Sequence, residues 1–191
     1  MDHIYDWNDI STGYERSTLI LGNGASIAVN GRFAYASLLD YALNNQVINN
    51  NINQLFHFFE TNDFEFILRR IWQANNVNRI FEIEDEDIRN AYLNVRDGLI
   101  RTVRGIHPSY EEVAPFLGAI YNFIKQFNTV ISLNYDLIVY WALMYGVEVT
   151  DGFSLKDCFV NGVFYEDWRK LRTPINGNRY SSLIFYPHGN L

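Results

Sequence analysis

Two glycines one residue apart, Gly22-Asn23-Gly24, follow the apolar run Leu19-Ile20-Leu21 and precede Ser26. Glycines at that spacing let a backbone take positive φ and approach a ligand with no Cβ in the way. The apolar run reads as a short buried strand, and Ser26 as a residue that caps the start of a helix. Strand, glycine turn and helix N-terminus together aim free N–H groups at a phosphate. The same residues also suit a plain tight connection from strand to helix. Three further polar residues stand at the ends of apolar runs. Asn134 and Asp136 follow Thr129-Val130-Ile131-Ser132-Leu133, and His188 follows Leu183-Ile184-Phe185-Tyr186-Pro187. The carboxyl edge of strands in an open α/β sheet is where ligands bind. Asp136 also stands where a helix N-cap would. His188 can exchange a proton near neutral pH, or serve as a satisfied structural residue.

Strands over 19–21, 129–133 and 183–186 must hold these residues. Between the first two, apolar residues recur at helical spacing and predict helices near 35–43, 63–77, 85–106 and 110–127. Asp63 is placed to cap the second of these, the acidic run Glu82 to Asp87 favours the start of the third, and Pro108 stops it. Asn44 to Asn53 is rich in asparagine, which competes for backbone hydrogen bonds, and reads as a surface loop. Asp151-Gly152-Phe153 reads as a turn, and Val160-Asn161-Gly162-Val163 as a type I′ hairpin. Residues up to Arg16 read as an arm leading into the first strand. The class is α/β, one domain over 1–191, with residues 33–127 as a helical insertion between the first two core strands.

Composition narrows the function. With 15 basic against 22 acidic residues the net charge is −7, which argues against a nucleic-acid grip built on basic patches. A small anion held by backbone N–H groups remains compatible with that charge. The single cysteine, Cys158, excludes an internal disulfide, and with four histidines no Cys/His zinc pattern is visible, so no metal is expected. No apolar run approaches the roughly 18 residues of a membrane span, and the first residues lack a basic segment. The expectation is a soluble, cytoplasmic protein.

Known nucleotide fingerprints fit poorly. The Gly-x-Gly-x-x-Gly pattern has Ile27 at its third glycine, and Asp40 comes early for a ribose-binding acid. No Gly-Lys-Ser/Thr follows, so this is not a P-loop. The ordered set Gly22-Asn23-Gly24-Ala25-Ser26, Asn134-Tyr135-Asp136, Asp151-Gly152-Phe153 and His188-Gly189 instead resembles the sirtuin-like superfamily, and within it the bacterial sirtuin-like NADases of anti-phage defence.

That resemblance implies a Rossmann-like parallel sheet and an NAD glycohydrolase that releases nicotinamide and ADP-ribose. Gly22, Asn23, Gly24 and Ser26 would cradle the pyrophosphate, with Gly189 also on the cofactor. Phe33 and Tyr35 would fold over the nicotinamide end, or be ordinary core aromatics. Asn134 would hold the ribose or the attacking water, Asp136 would steady the ribose or the developing positive charge, and His188 would act as general base. NAD is then the substrate, without a metal. The partners implied are NAD or ADP-ribose and either further copies of the chain or a defence partner, with no nucleic acid and no membrane. The Gly-Ile-Pro-Asp-Phe-Arg signature and four-cysteine module of the protein deacylases are missing, which points away from deacylation. Family members continue past the His-Gly with further strands. A chain ending at Leu191 is therefore a fragment or a short form without turnover. The alternative function is a non-catalytic NAD- or ADP-ribose-binding or interaction module.

Overall fold

The computed structural model describes residues 4–174 and 177–189. Its helices are α1 (Trp7–Ile10), α2 (Asn23–Val29), α3 (Tyr35–Asn44), α4 (Asn50–Phe58), α5 (Phe64–Ile80), α6 (Glu86–Ile106), α7 (Tyr110–Ile124) and α8 (Ile138–Glu148). The strands are β1 (Thr18–Leu21), β2 (Thr129–Ser132), β3 (Phe153–Asp157), β4 (Phe159–Val160), β5 (Val163–Phe164) and β6 (Tyr180–Phe185). The chain divides into two compact units, Met1–Ala25 with Ser109–Asn190, and Ser26–Pro108. No helix among the described residues is long and apolar enough to cross a membrane.

The first unit holds a four-stranded parallel sheet in the order β1-β2-β6-β3. The two central strands carry its core: Val130, Leu183 and Ile184 are fully buried. The helix α7 opens with a capping box between Ser109 and Glu112 and packs against α8. Gly146 permits that approach, since a Cβ there would stand 2.4 Å from the ring of Tyr121. The hairpin β4–β5 turns on Asn161 (φ 51) and Gly162 (φ 76), the two positive angles that a type I′ turn requires. Of the expected N-terminal arm, residues 1–3 lie outside the described residues. The rest forms α1, capped by Asp6, and a 3-10 turn over Ser11–Gly13.

The second unit is helical. Its core is apolar, with Phe56, Phe64, Ile67, Val95 and Leu99 buried where α4, α5 and α6 meet. Its α3 lies on α6 across Gly105, where a Cβ would collide with the ring of Tyr41. The helical block of residues 33–127 is thus divided, with α3 to α6 in this unit and α7 in the sheet unit.

Several expectations need correction. Half of the asparagine-rich loop is helix, because Asn49 caps α4 by accepting the Ile52 N–H at 3.0 Å. Asparagine weakens helix interiors but favours their first boundary. The turn at Asp151-Gly152 is followed directly by strand β3, which begins at Phe153. The Leu19-Ile20-Leu21 run is not buried: β1 is an edge strand, and Ile20 is 62% exposed. Ser26 does not cap α2, which begins at Asn23; it lies inside the helix, buried. The long helices shift by a few residues, α5 running on to Ile80 and α7 stopping at Ile124.

Candidate functional site

The parallel register sets the candidate residues at one edge of the sheet. Leu21 pairs with Ser132, and the Leu133 N–H then donates to the Leu21 carbonyl at 2.9 Å. This carries the chain one step past the strand ends and places Asn134 beside the glycine turn. Its Nδ2 donates to the Gly22 carbonyl at 3.1 Å. The same carbonyl accepts the Ala25 N–H at 3.0 Å, so Gly22 joins the start of α2 to the residue after β2. On the other side Ile131 pairs with Phe185, the last paired residue of β6, and the chain then turns through Pro187 to His188 at the same carboxyl edge. Gly22 follows β1 and His188 follows β6, the two strands that flank β2.

The burial of these groups differs. Asn134 is 7% exposed and Asp136 3%, both among the few buried polar residues of the chain. The Asn134 N–H donates to Ser132 Oγ at 3.4 Å. Asp136 Oδ1 accepts the Ile138 N–H at 2.9 Å, so it does serve the start of α8, from one position before the formal cap at Leu137. His188 is exposed, in a turn closed by the Gly189 N–H donating to the Tyr186 carbonyl at 3.0 Å. Gly189 takes φ 75 there, which favours glycine. The imidazole lies 6.0 Å from the Tyr135 ring, centre to centre.

Gly22 and Gly24 are explained differently from the sequence expectation. Neither takes positive φ. A Cβ at either would meet nothing within 4 Å, so what glycine leaves there is open space beside the turn. Asn23 opens α2 between them.

Ser26, Phe33 and Tyr35 belong to the helical unit. Phe33 is buried against the His107 ring at 5.7 Å, and Tyr35 is exposed at the first position of α3.

Two residues at the sheet edge escaped the sequence reasoning. Ser132 sits under Asn134, as noted. Tyr186 is 7% exposed, and its hydroxyl has no hydrogen-bond partner among the described residues. Burial raises its pKa well above the ordinary phenol value, and the charges of Asp157 and Asp136 push the same way. Its signal was its place just before Pro187-His188, at the end of an apolar run that reads as core.

An amide, a carboxylate, a phenol and an imidazole therefore share the carboxyl edge of β2 and β6. That set can orient hydroxyls and move a proton. No group of three or more His, Cys, Asp or Glu among the described residues could hold a metal ion. No curated protein matches the chain. Residues 19–191, which include β1, the glycine turn, Asn134 and His188, match a domain of unknown function, DUF4917, and the chain belongs to that family.

Proposed function

We propose that this chain hydrolyses NAD at the carboxyl edge of its sheet. The observation that carries the reading is the hydrogen bond from Asn134 to Gly22, which ties the motif after β2 to the glycine turn after β1. The open space at Gly22 and Gly24 suits a pyrophosphate approaching the backbone. On this reading the fold is the sirtuin-like form of a Rossmann-like sheet, with the helices between β1 and β2 as its insertion.

The chemistry is cleavage of the bond between nicotinamide and ribose C1′. The bond's electron pair leaves with nicotinamide, and positive charge develops on the ribose, as in glycoside hydrolysis. A water oxygen then bonds to C1′ and gives its proton to His188. Asn134 still has a second amide N–H and its carbonyl oxygen for the ribose or the water. Asp136 places negative charge below the developing cation while holding the start of α8. The defence role and any defence partner rest on the motif resemblance.

A second reading is a non-catalytic module that binds NAD or ADP-ribose. The exposure of His188 in a turn is the observation that favours it. One experiment separates the two: incubate the protein with NAD, follow nicotinamide by chromatography, and measure NAD affinity by calorimetry. Release with turnover supports hydrolysis. Binding without release supports the module, and neither binding nor release overturns both.

A further inference from the structure

The helical unit carries a groove of about 450 Å³ between α4, α5 and α6. Leu55, Phe59, Ala74 and Ile88 line it, with Arg70 on one wall and Asp87 on another. Arg70 lies ten residues before the end of α5, whereas Asp87 lies in the first turn of α6. At 1.5 Å per residue the two charges are about 15 Å apart along the helix pair, at opposite ends of the groove. Beside it, Val77 and Phe81 continue the face of Arg70 and Ala74 at helical spacing, and they are 51% and 71% exposed. Contiguous exposed apolar surface of this kind marks interaction sites.

We infer that this face pairs with the same face of a second copy of the chain. The reason is self-complementarity. A two-fold axis across the groove brings each end of one copy against the opposite end of the other. Arg70 then meets Asp87 of the second copy, twice, and the projecting Phe81 meets the apolar groove. The charges are available for this. Among the described residues Arg70 contacts Gln73 at 3.3 Å and the rings of Phe66 and Phe59, none of them acidic. Asp87 has no ion-pair partner among them. A purely acidic or purely basic partner would match one end of the groove and oppose the other.

The test is sedimentation velocity on the full chain from low micromolar to near-millimolar concentration. A monomer–dimer equilibrium is expected. Arg70→Glu and Asp87→Arg should each weaken the dimer about tenfold, because each reversal acts twice in a two-fold interface. The combined charge swap should recover most of the affinity, and Phe81→Ser should weaken the dimer without disturbing the fold by circular dichroism. All three positions are exposed. A monomer at every concentration overturns the inference. So does a dimer indifferent to these variants, including one that Ile20→Lys at the β1 edge disrupts instead.

Discussion

The two ends of the sheet use polar residues in opposite ways. At the amino end the polar groups near the strand starts are bonded to one another. Lys125 Nζ donates to Asp151 Oδ2 at 2.7 Å, and the Tyr121 hydroxyl donates to Asp151 Oδ1 at 2.9 Å. Arg172 donates to the Asn128 carbonyl at 3.0 Å and to Thr129 Oγ1 at 2.8 Å, and Ser182 donates to the Phe127 carbonyl. At the carboxyl end the buried Tyr186 hydroxyl has no partner among the described residues and His188 is exposed. Asn134 there makes a bond to the glycine turn and keeps capacity for more. A satisfied polar cluster rigidifies, whereas a buried polar group without a partner calls for an explanation, which the proposed ligand would supply. Density of polar residues alone would not have distinguished the two ends.

The largest effect should come from the carboxyl end. His188→Ala and Asn134→Ala are expected to lower NAD hydrolysis by about 10²–10⁴-fold each, read as nicotinamide release, with NAD affinity falling much less. The double variant should be little worse than either single, since groups that act together lose activity together. A His188→Ala protein keeping more than about a tenth of the rate removes the general base from the proposal.

Next, Gly24→Val should abolish NAD binding by calorimetry while the fold persists. The site has room for the side chain itself, and that room is what the pyrophosphate would need. Retained affinity in the folded variant takes the turn out of the site.

At the amino end the effect should fall on stability alone. Asp151→Asn is expected to cost about 1 kcal/mol, because two charge-assisted hydrogen bonds weaken in a partly solvated position. NAD turnover should not change. Burial pushes Asp151 up, but Lys125, Tyr121 and the Phe153 N–H together hold it below the ordinary carboxylate value. Its stabilisation is therefore complete above the pKa of an unfolded aspartate, about 3.9. It is lost as pH falls through the lowered folded value. Wild type and Asp151→Asn should converge in thermal midpoint below that range. Midpoints that stay equally separated there would place the effect in packing.

The smallest stability effect should belong to Tyr186→Phe, which removes a hydroxyl that bonds to nothing described. A change below about 0.5 kcal/mol is expected, as for a substitution that breaks no interaction. If the hydroxyl faces the ligand, turnover falls nonetheless. Unchanged turnover would make Tyr186 plain core.

Much of this was legible in the chain because it is local. The cap at Asp63, the Asn161-Gly162 hairpin and the strand at Thr129 each carry their signal within a few residues. What escaped depends on neighbours distant in sequence. Nothing in Leu19-Ile20-Leu21 says that β1 will lie at an edge. For β3 a short period-2 signal was present: Phe153 and Leu155 alternate with Ser154 and Lys156, yet the preceding Asp-Gly dominated the reading. In α4 the spacing of Ile52, Leu55 and Phe56 was hidden by asparagines, one of which is the cap. At the candidate site the motifs marked Asn134 and His188, but only the register showed that they follow neighbouring strands at one edge of the sheet.

The edge position of β1 also bears on how the chain is made. Its only strand partner among the described residues, β2, lies about 110 residues further along. At translation speeds of roughly 5–20 residues per second, β1 waits on the order of 5–20 s for that partner to be synthesised. The helices of the second unit contact one another, α5 with α6 and α3 with α6, all within residues made before β2, so they can form within that interval. Their folding draws the ends of the intervening segment out of the random coil, which lowers the entropy cost of closing so long a loop. Until then Leu19 and Ile20 lack the strand that pairs with them in the folded sheet.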